Sequence, residues 1–419
     1  MKRPPRLYYG WIVAIAGAFV LLTASNFQYI FGVFVKPMAN TFDWSRSAIS
    51  GIASVRSVVF GILSPITGTL TDRHGPRRLV LGGVIISGLG YLLAAHISNL
   101  WQAYLFLGVF TGIASAAGYL PTITTVTRWF GGNAALANGV VLSGFSLAQI
   151  ALPPFATWLI LDYSWAVCLT IIGITVWAVG AIAWSFIRSP PQTADIETSV
   201  KNSSYTSEEP RQHQYTLGEV ARVRPFWVLF AIYAIYALCF QMITVHVVAA
   251  AIDVKIDPAS AALILTLFGI TNTAGRLCAG LIIPKLGKRL SLAIPLGIQV
   301  PLLLLLSIST NTGMFYSIAL VYGFVYGIIP PLIPVITSDL FGSKSIGAIF
   351  GAINGAYTTG MAIGPWLGGF IFDQTGSYVT AFTLAAGLIA GAFLLSLTIK
   401  PPTGQSVPGS DKFGLGTSR

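Results

Sequence analysis

The stretch Ser260–Arg289, SAALILTLFGITNTAGRLCAGLIIPKLGKR, decides how the rest of the chain is read. From Ser260 to Ile283 it forms one apolar run, and a helix needs about 20 such residues to cross a bilayer. Past the middle of the run stands Arg276, with Asn272 four positions earlier. Residues four apart share a helix face, so amide and guanidinium point the same way. An arginine inside hydrocarbon costs about 3 kcal/mol on insertion scales, and such residues face a cavity that carries a substrate or ion.

The composition agrees. The 419 residues are 54% hydrophobic and only 9% charged, whereas soluble domains carry about 25% charged residues. The 44 glycines and 23 prolines suit closely packed, kinked membrane helices. Cys168, Cys239 and Cys278 lie in apolar runs without metal-type spacing and read as small core residues, so no metal and no cofactor is expected. The N-terminal MKRPPRLYYGWIVAIAGAFVLL has too long an apolar run for a signal peptide and reads as a first span.

Twelve apolar segments lie near 9–35, 46–71, 79–97, 100–127, 134–159, 165–187, 223–251, 258–283, 289–308, 312–338, 345–371 and 376–399. The polar stretch 188–222 divides them six and six. This predicts an all-α integral membrane protein, with one six-helix bundle in 1–187 and a pseudo-symmetric second in 223–400. Between them, 188–222 is expected to be a cytoplasmic linker with a short helix at Tyr215–Val223. The Gly/Pro/Ser-rich tail 401–419 is expected to be disordered. Most of the 24 basic residues, among them Lys2, Arg3, Arg73, Arg77, Arg128, Arg188, Lys288 and Lys344, fall on the side of the N-terminus. Only Lys36, Arg46 and Lys255 fall on the other. The positive-inside rule then makes both termini cytoplasmic in a cell (inner) membrane. That placement also accounts for the net charge of +11 without a nucleic-acid partner.

Two cations remain within spans, Arg56 and Arg276, while all 13 acidic residues sit in loops or at span ends. An unpaired cation at low dielectric is costly unless an anion joins it. A substrate anion could be that partner.

The halves repeat. Gly68–Arg77 is matched by Gly280–Arg289, 212 positions later, and Phe130-Gly131 by Phe341-Gly342, 211 later. Gly139 and Pro153 match Gly351 and Pro365. Transporters built from two such halves bind substrate between them near the midplane and rock around it.

The G-x-L-x-D-R-x-G-x-R run at Gly68–Arg77 resembles the signature loop of the major facilitator superfamily. Within it, the chain resembles the monocarboxylate transporter family over essentially its whole length. The carriers of that resemblance are Tyr8-Tyr9-Gly10-Trp11-Ile12-Val13, Trp129-Phe130, and Leu136-Ala137-Asn138-Gly139 with Gly144. Asn272 and Arg276 also stand where that family has a polar residue and a substrate-binding arginine. Asn133 and Ala134 depart from the family's basic pair before span five, Asn272 from the Asp of animal members, and Pro284 from the acid of the second signature loop. The resemblance implies a twelve-helix transporter of small monocarboxylate anions such as L-lactate or pyruvate. The likeness to bacterial members that move L-lactate further implies proton symport by alternating access, and action as a monomer is also expected.

Arg276 is the expected carboxylate fork. Asn272 either hydrogen-bonds a substrate hydroxyl or keto group or bridges two helices. His246, the one histidine well inside a span, is either a pocket and proton-coupling residue, alongside Arg276, or a satisfied core histidine. Tyr119 and Tyr326, from facing halves, are candidates to orient the carboxylate, with Tyr322 a rival to Tyr326. Phe27 and Phe145 either shape the pocket or pack. Arg56 either draws anions inward or snorkels to the surface. Gly68, Asp72, Arg73, Gly75, Arg77 and Arg128 form the expected conformational latch, in which resemblance puts Asp72 at a neighbouring helix N-terminus. The rival function is an organic-anion exchanger of the oxalate–formate type, for which span eleven lacks a second deep cation while Arg56 supplies one. No nucleophile–base set or phosphate loop argues for an enzyme.

Overall fold

The computed structural model describes residues 5–130, 134–189, 215–341 and 346–399. Most of the polar linker, 190–214, and the tail 401–419 lie outside the described residues. Twelve long helices account for nearly all of the rest. In the first half these are α1 Pro5–Phe42, α2 Arg46–His74, α3 Pro76–Ala94, α4 Leu100–Phe130, α5 Ala134–Asp162 and α6 Trp165–Phe186. In the second they are α7 Arg224–Asp253, α8 Pro258–Leu286, α9 Lys288–Ser307, α10 Thr312–Phe341, α11 Ile346–Thr375 and α12 Val379–Leu397. Eleven are long and apolar enough to cross a membrane. The exception, α11, has 30 residues, but Gly351, Gly355, Gly360 and Gly364 dilute its hydropathy. The linker helix is shorter than expected, a single turn at Leu217–Val220.

The sequence punctuates these helices. Ser45 accepts from the Ala48 N–H, Ser164 from Val167 and Asp257 from Ser260, so α2, α6 and α8 each begin on a side-chain cap. Pro258 follows Asp257 at the first helical position, where its missing N–H costs nothing. α1 runs past its apolar stretch to Phe42, and Lys36 in that extension pairs with Asp253 across the molecule.

Within the first half, α1 packs on α5 and α3 on α6; within the second, α7 packs on α11, α8 on α10 and α9 on α12. The halves meet chiefly along α2–α11, α5–α8 and α1–α7. The repeat is visible in the backbone. Gly75 ends α2 with φ 77°, and Gly287, 212 positions on, ends α8 with φ 74°. A side chain would be strained at both turns. At the opposite face, Asp43 (φ 54°) and Lys255 (φ 70°) are also 212 apart and also left-handed. Their unrelated side chains hide that equivalence from the sequence. The face carrying Gly75 and Gly287 is called proximal here, and that carrying Asp43 and Lys255 distal.

Candidate functional site

Close backbone packing places Arg276. Gly327 of α10 lies against the Asn272 carbonyl and the Arg276 amide, so no Cβ fits there. Gly275 of α8 meets the Phe324 carbonyl in the same way. Small residues of this kind let membrane helices approach closely. The contact brings Tyr326, next to Gly327, within electrostatic reach of the guanidinium, together with Tyr29 of α1, Tyr236 of α7 and Tyr357 of α11. Tyr119 of α4 completes the group from the first half.

The second half offers a built aromatic wall. The Tyr326 ring stacks on Tyr236 at 4.4 Å and on Phe240 at 4.1 Å. The Tyr236 hydroxyl donates to the Tyr326 carbonyl at 2.6 Å, and the hydroxyls of Tyr326 and Tyr357 lie 3.2 Å apart. Stacking and hydrogen bonds together fix which way these phenols point. On the other side, Tyr119 stacks on Phe145 at 5.7 Å. Both line a cavity of about 40 Å³ with Ser25, Gln28, Arg56, Phe60 and Ser115.

The guanidinium of Arg276 makes no hydrogen bond among the described residues, and its buried Nε has no partner. The described acidic residues sit in loops or near helix ends, as Asp162, Asp253, Asp339 and Asp373 do. Asn272, buried one turn away, reaches across the halves, its Nδ2 donating to Gln149 Oε1 at 3.4 Å while its own Oδ1 is unpartnered. It thus bridges α8 to α5 and still holds a free acceptor. Arg56 does not snorkel: it is 3% exposed, donates to Ser115 Oγ at 2.8 Å and to Gln28 Oε1 at 3.4 Å, and faces the cavity.

Other candidates lie elsewhere. Tyr322 turns away from Arg276, towards a separate apolar cavity lined by Ile243, Phe268 and Phe315, and its hydroxyl has no partner. Phe27 packs on Phe31 and Tyr91 in the first-half core. His246 is fully buried near the distal face. Its Nε2 donates to the Pro365 carbonyl at 2.8 Å, which leaves Nδ1 to accept from the Tyr378 hydroxyl at 3.1 Å. Ser50 lies 3.3 Å from the ring. Of the latch residues, Asp72 and Arg73 have side chains outside the described set. Arg77 lies over the Trp184 ring at 4.8 Å, its carbonyl accepting from the indole N–H. Arg128 lies in the last turn of α4.

His246 belongs to a seal between the halves. Arg46 grips Asp253 with both arms, at 2.6 and 2.9 Å, and Lys36 joins at 3.1 Å. Arg46 also donates to Tyr378 at 2.8 Å and stacks on Phe372, its Cζ 3.8 Å from the ring centre. Asp373 accepts from the Arg46 and Ser47 N–H groups at 2.9 and 2.8 Å, a carboxylate at the start of α2. Lys36 and Arg46 of the first half are thus both paired with Asp253 of the second.

Sequence reasoning missed Tyr29, Tyr236 and Tyr357 at the site, and the seal entirely. The repeat could have found Tyr357, which stands 212 positions after Phe145. Nothing local marks Tyr29.

A family model described as Major Facilitator Superfamily matches residues 17–363 and 247–417. The chain is similar to monocarboxylate transporter 13 of Bos taurus, with 27% identity across 94% of this chain and 88% of that one. It is similar to monocarboxylate transporter 2 of Homo sapiens, with 24% identity across 93% and 85%. The MFS-type transporter YhjX of Escherichia coli (strain K12), itself uncharacterized, is 25% identical across 82% and 83%. Two crystal structures of a bacterial homolog of the human lysosomal transporter Spinster share the fold. Their TM-scores are 0.68 and 0.69 at 14% identity, over 94% and 95% of this chain and 96% of theirs. With twelve helices in two repeated bundles and a family match over most of its length, the chain is a multi-pass membrane transporter, not an enzyme, and belongs to the major facilitator superfamily.

Proposed function

We propose that the protein carries short monocarboxylates such as L-lactate or pyruvate, in symport with a proton, by alternating access. One observation carries this reading: a half-buried guanidinium, Arg276, with a buried and unpartnered Nε, left without an acceptor among the described residues and within electrostatic reach of tyrosines from both halves. A carboxylate fits that fork bidentately, and the tyrosines hold it in register. The names of the similar proteins from Bos taurus and Homo sapiens support the same substrate class.

The mechanism follows from charge. With the distal seal closed, the Arg276 site is reached from the proximal face. By the positive-inside rule that face is cytoplasmic, in a cell (inner) membrane, with both termini on that side and the single chain as the working unit. A bare guanidinium resists enclosure because its desolvation is uncompensated. A carboxylate beside it neutralises the pair and permits the swing. No described side-chain carboxylate stands near it to carry the proton. The proton therefore rides with the substrate–Arg276 pair, or enters through His246 when the seal opens. Asp72, Arg73, Arg77 and Arg128 serve as the proximal latch.

Uptake into proteoliposomes tests this, using labelled lactate, pyruvate, acetate and oxalate with and without an imposed pH gradient. Gradient-driven lactate uptake that disappears in Arg276→Ala is expected; uptake equal to wild type removes the site assignment. Arg56 favours a second reading, exchange of the oxalate–formate type, because it is a second deep cation, facing a cavity of its own. Dependence on an internal counter-anion instead of the pH gradient decides for exchange.

A further inference from the structure

We propose that the cavity against the first half is a second carboxylate subsite, centred on Arg56, in which an anion rests on its way between the distal face and Arg276. The inference rests on the anion-transport reading above, but on different residues.

Arg56 is 3% exposed, yet its hydrogen bonds go only to neutral groups, Ser115 and Gln28, and its Nε is unpartnered. Its charge is therefore solvated in part and neutralised by nothing described nearby. The space beside it, about 40 Å³, is also lined by Gln28 and Tyr119, whose amide and phenol suit a carboxylate, and by Ser25 and Ser115, whose hydroxyls are held by the Leu21 and Ala24 carbonyls. The aromatic faces of Phe60 and Phe145 supply an apolar side. A small carboxylate needs this combination: a cation, further hydrogen-bond donors and a short apolar wall.

Depth separates the two cations. The helices that carry them, α2 and α8, begin at repeat-equivalent positions, Arg46 and Pro258, on the distal face. Arg56 is ten residues into its helix and Arg276 eighteen into its own. At 1.5 Å per residue, Arg56 lies about 12 Å nearer the distal face. Tyr29 sits at a depth between them and within electrostatic reach of both. An anion arriving from the distal side meets Arg56 on the first half before Arg276 on the second. Because the two cations belong to different halves, rocking changes their separation and hands the anion from one to the other.

The test is equilibrium binding of lactate, acetate and oxalate to the full chain in nanodiscs, for wild type, R276Q, R56Q, R56K and R56Q/R276Q, with thermal unfolding of each. Residual carboxylate binding is expected in R276Q, to be lost in the double variant. For uptake from the distal side, R56Q is expected to raise KM roughly tenfold, as loss of a charge-assisted bond does, with R56K closer to wild type. The proposal is overturned if R276Q alone abolishes all binding while R56Q leaves it unchanged. It is also overturned if R56Q and R56K lose binding equally and both unfold early, which is a structural role for Arg56. Binding unaffected by R276Q but lost in R56Q sinks the Arg276 assignment and leaves this subsite standing.

Discussion

The distal seal and the central cavity handle charge in opposite ways. In the seal, Arg46 and Lys36 face Asp253, Asp373 caps α2 from the other half, and Tyr378 and His246 complete the hydrogen bonds. At the centre, Arg276 and Arg56 keep unpartnered nitrogens while phenols and hydroxyls gather round them. Paired charge across an interface holds two bodies together; unpaired buried charge waits for a ligand. A transporter needs both, one to close the path and one to give its cargo a reason to enter.

The contrast predicts unequal costs. Arg276→Gln removes the cation that the substrate would neutralise, and lactate uptake should fall roughly 100-fold, as loss of a buried charge partner costs 2–5 kcal/mol. Arg46→Gln, at the paired site, should leave measurable transport. Equal losses in the two variants would erase the distinction. Asp253→Asn should loosen the seal without touching the cavity. The half-exposed pair is worth about 1–2 kcal/mol, so the ratio of distal-open to distal-closed molecules should rise roughly 5- to 30-fold. Spin labels at Tyr163→Cys and Thr310→Cys, on distal loops of the two halves, would report it as a longer distance. An unchanged distance distribution would mean the ion pairs are ornament.

Smaller effects sharpen the comparison. Gly327→Ala pushes α10 away from α8 and misplaces Tyr326 relative to Arg276. The overpacking costs about 1–3 kcal/mol, read as a lower thermal midpoint together with a higher lactate KM. Tyr357→Phe removes one hydroxyl from the group around Arg276 and should raise KM about threefold to tenfold. His246→Gln, being a seal substitution, should alter the pH dependence of uptake while leaving lactate KM within about twofold of wild type. A large KM effect there would move His246 into the cavity.

Much of the architecture was legible in the chain. Apolar length gave the spans, because a bilayer leaves a backbone few other ways to satisfy its hydrogen bonds. The offset of 212 between Gly68–Arg77 and Gly280–Arg289 gave two halves, and the left-handed Gly75 and Gly287 carry it into the backbone. Arg276 announced itself because a cation in an apolar run is expensive. The surrounding tyrosines did not. Tyr29, Tyr236 and Tyr357 sit in ordinary apolar contexts, and only the crossing of four helices makes them neighbours of one guanidinium. Tyr322 and Tyr326 are one turn apart, yet one faces the charge and the other an apolar hollow.

By itself, then, the sequence determined the medium, the number of spans, the internal repeat and the presence of two costly cations, since each follows from composition and spacing along one chain. The tertiary structure decided that Arg56 lines a cavity while Arg276 stands among tyrosines of other helices, that His246 lies in a seal, and which phenols face Arg276. Those are matters of distance between helices far apart in sequence, set by glycine contacts and by ion pairs spanning the two halves.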